Sequence, residues 1–145
     1  MDALIGGVLA ALVAITIREL VSWARSRYDA FRGRLGLLSS LRNELVFNRD
    51  LPPWTEAVPS DSVWQLVMRD GVQVPINDEV KQKLFHLYAH IGLVRLVAQL
   101  GREEQAKSWY KDGRVSGAIP QVIADLDAGI EAYKKRKWWL IWSGV

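Results

Sequence analysis

The chain has no cysteine. That excludes disulfides, thiolate zinc sites and cysteine nucleophiles together, and it fits a reducing compartment. Histidine is scarce, with only His86 and His90. Four residues apart on a helix, they share a face, a spacing that can hold a metal. A site needs further ligands, and no nearby His or carboxylate pair supplies them. The two are read as a polar or half-buried helix face. A glycine-rich phosphate loop, a nucleophile elbow and a metalloprotease helix are also missing. Glu44 and Asn48 share a helical face and form a candidate polar cluster, but two residues do not make an acid/base site. The expectation is a protein that is not an enzyme, with no catalytic, cofactor or metal residues.

Charge is missing from residues 3–17, a run of fifteen apolar or small residues. A span of the hydrocarbon core takes about 20 such residues, with roughly 17 as the lower limit. Counted through Trp23 the segment is long enough, provided Arg18 and Glu19 sit at headgroup level and Arg18 snorkels. Residues 1–24 are therefore expected to form a single transmembrane anchor. A signal peptide and a buried core helix are the rival readings. The first lacks a basic leading region, since Asp2 is the only charge before the run. The basic residues Arg18, Arg25, Arg27, Arg32 and Arg34 follow the run and none precedes it. Basic residues beside a span stay on the cytoplasmic side. This predicts an inner-membrane protein with its N-terminus out and its C-terminus cytoplasmic. Within the run, Ala3, Gly7, Ala10 and Ala14 fall on one helical stripe. Small residues so placed let helix backbones approach closely in lipid. The stripe is expected to pack against a second copy or another membrane protein.

Half of the 145 residues are apolar, enough for one small core beyond the anchor. Net charge is +3, unevenly spread. Residues 18–49 hold seven arginines against Glu19, Asp29 and Glu44, whereas residues 50–79 hold six carboxylates against Arg69 alone. Phe31, Leu35, Leu38, Leu41 and Leu45 recur at three- and four-residue steps, so the anchor continues as a helix to about residue 48. Pro52 and Pro53 stop it. Ser60 or Asp61 is placed to cap a short helix that Gly71 ends. Val72 to Ile76 has no strand to pair with and is read as a connector. Asn77 or Asp78 caps the clearest helix, with Val80, Leu84, Leu87, Ile91, Val94 and Ala98 on its inward face. A short polar helical segment follows. Pro120 opens a last helix whose buried stripe is Ile119, Ile123, Leu126, Ile130 and Tyr133. The fold class is all-α, a single N-terminal transmembrane helix followed by a small cytoplasmic antiparallel bundle over residues 25–145.

The second marked feature is the C-terminal segment, residues 134–145. Lys134, Lys135, Arg136 and Lys137 precede Trp138, Trp139 and Trp142. Tryptophan favours the membrane–water interface, and each nearby cation gains about 1 kcal/mol from an anionic surface. With Arg18 and Trp23 they form the expected membrane-interface set, and anionic headgroups are the expected partner. Packing of the indoles inside the bundle is the alternative. Nucleic acid is not expected, because the aromatics lie in one block beside Leu140 and Ile141. The function expected is a non-enzymatic, membrane-anchored interaction protein, a subunit or adaptor of a membrane complex. The alternative is a membrane-acting effector whose cytoplasmic domain senses a ligand or partner and whose oligomerised spans perturb the bilayer.

Overall fold

The computed structural model describes residues 2–51, 58–71, 73–111 and 115–135; of residues 2–11 it describes the backbone alone. Five α-helices follow in chain order: α1 Asp2–Arg49, α2 Ser62–Asp70, α3 Asp78–Gln99, α4 Glu103–Lys111 and α5 Ile119–Lys135. No strand occurs among the described residues, and the all-α expectation holds. The connector before α3 makes a local turn instead, with the Ile76 N–H donating to the Val74 carbonyl at 2.9 Å. The chain divides into two compact units. One is Arg34–Lys135, and the other includes Met1–Gly33.

The expectation of a spanning helix is not met among the described residues, where no helix is long and apolar enough to cross a membrane. Described side chains begin at Leu12, and only six residues then precede Arg18 and Glu19. That is far below the roughly 17 a span requires. The rest of the apolar run, residues 3–11, is helical in backbone, and its side chains lie outside the described residues.

Within Arg34–Lys135 the predicted stripes form one core. From α1 it takes Leu38, Leu41 and Leu45, all fully buried, with Leu35 packed at its edge. The inward face of α3 is buried from Val80 to Val94, and Ala98 is partly buried. Every member of the stripe predicted for α5 is buried. α3 is the central element, packing against both α4 and α5. It runs antiparallel to α5: Lys83 meets Asp125 at 2.9 Å, and nearer the start of α3 Ile76 approaches Gly129. A Cβ at Gly129 would stand 3.2 Å from the Ile76 methyl, so glycine lets the connector lie against α5. Helix ends follow local chemistry. Asn77 Oδ1 accepts from the Val80 N–H at 2.8 Å. Gly71 takes the left-handed conformation, φ 60°, and closes α2 on the Val67 carbonyl.

Candidate functional site

Glu44 and Asn48 lie one turn apart on the inward side of α1, 7% and 0% exposed. A buried carboxylate is costly unless hydrogen bonds satisfy it. The segment leading into α2 supplies most of them. Glu44 Oε1 accepts from Ser60 Oγ at 2.8 Å, Ser62 Oγ at 3.0 Å and the Val63 N–H at 3.0 Å, and its Oε2 accepts from the Tyr88 hydroxyl at 2.9 Å. Asn48 holds the same segment by its main chain. Its Nδ2 donates to the Ser60 carbonyl at 2.7 Å, and its Oδ1 accepts from the Ser60 N–H at 2.6 Å. The Tyr110 hydroxyl of α4 donates to the Asn48 carbonyl. Two residues of α1, through their side chains and the Asn48 carbonyl, thus bind α2, α3 and α4 to one point.

The local signal for the cap of α2 is overridden by this arrangement. Asp61 occupies the N-cap position but makes no side-chain cap. Its carboxylate pairs with Arg95 of α3 and accepts from Gln65 Nε2 at 3.0 Å. The free N–H at Val63 goes to Glu44, whose negative charge lies at the positive end of the α2 dipole. Trp64 stacks flat on Tyr88 with ring centroids 5.0 Å apart, which fixes the phenol that faces Glu44.

Burial pushes the Tyr88 hydroxyl well above the usual phenol range, and the adjacent Glu44 charge pushes it further. Burial alone pushes Tyr110 up to about 12. Both remain donors at neutral pH. A raised folded pKa means that the folded state keeps its proton while the unfolded phenol, near 10, loses it. The stability these groups contribute is therefore complete below pH 10 and falls as pH rises through about 12. Denaturant unfolding measured from pH 8 to 11.5 should show a loss beginning near pH 10. Tyr88→Phe should flatten that slope while lowering stability at pH 8; an unchanged slope would contradict the assignment.

Beside this hub a shallow cleft of about 670 Å³ is lined by Ser40, Asn43, Glu44, Phe47, Val58 and Arg95, among others. Glu44 accepts from four donors there, three on Oε1 and one on Oε2. A second groove, about 510 Å³, lies between α3 and α5 and includes Glu79, Lys83, His86, His90 and Gln121. His86 is exposed and His90 half-buried, and His90 Nδ1 lies 2.7 Å from the His86 carbonyl. Among the described residues no group of three or more His, Asp or Glu is placed to hold a metal. Lys83 donates to Asp125 and holds that carboxyl below the usual carboxylate range.

Of the residues singled out as membrane contacts, Ala14, Arg18 and Trp23 are exposed on α1. The Arg27 guanidinium lies 5.6 Å from the Trp23 ring, and Arg32 stands similarly over Tyr28 at 5.8 Å. Ala3, Gly7 and Ala10 lie outside the described side chains. Lys134 and Lys135 are exposed in the last turn of α5, with Lys134 tied to Glu131 at 2.8 Å. Arg136, Lys137, Trp138, Trp139 and Trp142 lie outside the described residues. The sequence pointed to Glu44 and Asn48 but not to Ser60, Ser62, Tyr88 and Tyr110, which complete the hub from other elements. No protein-family model, curated protein or solved structure matches the chain.

Proposed function

We propose that this chain is a membrane-anchored, non-enzymatic interaction protein, a subunit or adaptor that presents a rigid helical domain at the cytoplasmic face. The observation that carries the reading is the surface of α1. Leu12, Val13, Ile15, Ile17, Leu20 and Val21 are each 56–61% exposed, and at 100° per residue they spread over about 240° of the helix. An exposed apolar arc this wide needs an apolar environment around most of the helix, and the bilayer is the simplest one. The Trp23–Arg27 and Tyr28–Arg32 pairs follow within about three turns, where interfacial aromatics and cations belong. In this reading residues 3–17 enter the bilayer with the N-terminus out. Ala3, Gly7, Ala10 and Ala14 face another span, and residues 134–142 rest on anionic headgroups. The saturated Glu44 hub supports a scaffold role over a catalytic one.

Alkaline carbonate washing should leave the full chain in the membrane fraction, and a C-terminal reporter active only in the cytoplasm should be active. Release by the wash would overturn the anchor; activity of an exported reporter would overturn the orientation. Induced expression separates adaptor from effector. An adaptor should be tolerated, whereas growth arrest with depolarisation would transfer the reading to a membrane-acting effector.

A further inference from the structure

α2 is fastened to its unit mainly at one end. Among its nine residues only Val67 is buried. Val63 and Trp64 pack partly against the core, whereas Leu66 and Met68 are 45% and 55% exposed. By comparison α3 and α5 each bury six side chains. The closely packed helix pairs are α3 with α4 and α3 with α5, and α2 belongs to neither. The ties that hold α2 are polar or aromatic and fall within residues 60–64. Ser60, Ser62 and the Val63 N–H bind Glu44, and Ser60 also binds Asn48. Asp61 pairs with Arg95, and Trp64 stacks on Tyr88. From Gln65 to Gly71 every residue but Val67 is exposed.

We propose that residues 58–71 form a strap that lifts off as one unit while α3, α4, α5 and the second half of α1 stay folded, and that Glu44 is its catch. Segments that open locally are those with few buried apolar contacts, and α2 is such a segment. The core left behind does not need it. Leu41 of α1, Leu84 and Ile91 of α3 and Leu126 of α5 belong to one cluster, to which α2 contributes Val67 as its single buried member. The ties themselves favour a reversible contact. Hydrogen-bonding groups regain water when they part, so their net hold is modest, whereas uncovering a full apolar stripe has no such compensation. The pairing of Asp61 with Arg95 is also incomplete. Arg95 Nε is buried with no hydrogen-bond partner among the described residues, and rehydration of that guanidinium favours the open form. Opening bares the flat face of Tyr88 and the Glu44 oxygens together. The inference goes beyond the adaptor reading and does not rest on the membrane reading.

Amide hydrogen exchange of the full chain in mild detergent, at fixed pH, reads the strap directly. The helix-bonded amides of residues 65–70 should exchange together, roughly a hundredfold or more faster than those of Leu87, Ile91 and Leu126. Two kinds of variant then separate opening of the strap from unfolding of the whole unit. Leu126→Ala weakens a buried site that stays buried when the strap lifts. It should speed exchange in α3 and α5 and leave residues 65–70 within about twofold of the unaltered chain. Val122→Ala, a smaller deletion at another buried site, should give the same pattern and serves where Leu126→Ala does not fold. Glu44→Ala weakens the closed form itself. It should speed residues 65–70 about a hundredfold, because two donors are stranded, and speed α3 and α5 by a similar factor. Exchange of residues 65–70 no faster than that of Ile91 would overturn the strap, as would equal acceleration of α2 and α3 by the α5 variants. A change under about threefold at residues 65–70 in Glu44→Ala would overturn the role of Glu44 as the catch.

Discussion

Glu44→Ala should destabilise the Arg34–Lys135 unit by about 3 kcal/mol, measured as a shift in denaturant midpoint at unchanged slope. The carboxylate accepts four hydrogen bonds, but their donors are not equally exposed to its loss. Ser60 Oγ and Ser62 Oγ are 3.0 Å apart and can pair with each other. The Val63 N–H cannot turn away, and the Tyr88 hydroxyl is held by stacking on Trp64. Two stranded donors at about 1–3 kcal/mol each set the scale. Glu44→Gln should cost less, about 2 kcal/mol, because the amide retains one acceptor while turning an N–H₂ toward donors. Tyr88→Phe alone should cost about 1 kcal/mol, and the Glu44→Ala/Tyr88→Phe pair should fall short of the sum by at least about 0.5 kcal/mol. Strict additivity, or a Glu44→Ala loss under about 1 kcal/mol, would show that the carboxylate does not organise the three surrounding helices.

Leu41→Ala should cost about 3 kcal/mol, within the range for deleting a fully buried leucine. Leu41 is 0% exposed and belongs to the same core cluster as Ile91 and Leu126. The second part of α1 is thus a wall of the helical unit and not merely a stalk below it. Ile91→Ala, at another fully buried position on α3, should cost a similar amount. Leu66→Ala, 45% exposed on α2, should cost under about 1 kcal/mol. A Leu41→Ala shift as small as that of Leu66→Ala would mean that α1 frays from the unit in solution. A fragment starting at residue 34 should then fold as well as one starting at residue 50, against the outcome expected here.

Much of the fold was legible because periodicity and capping act over a few residues. The stripes of α3 and α5 declared their buried faces, and Asn77 declared a start that its contact with Val80 bears out. The cap of α2 was not legible in the same way. Asp61 has the right side chain at the right place, and a partner 34 residues away, Arg95, draws it off. The candidate site was half visible. Glu44 and Asn48 share a helix, so spacing alone placed them together, whereas Ser60, Tyr88 and Tyr110 reach them from separate elements. The outer face of α3, where Phe85, Leu93 and Leu96 are exposed, escaped notice for a related reason. Two apolar stripes on opposite sides cancel as periodic signals, and only burial tells the covered one from the open one.

By itself the sequence determined the helical class, the helix order, the inward stripes and the absence of cysteine chemistry. These depend on local conformational preference and on which side chains leave water, both properties of short segments. Tertiary structure alone decided where the buried charge would go. A carboxylate such as Glu44 enters a core only where several donors converge, and convergence is a property of packed helices rather than of any one stretch of chain. Packing likewise decided that the Val80–Val94 face of α3 would close over the core and that the face carrying Phe85, Leu93 and Leu96 would stay open.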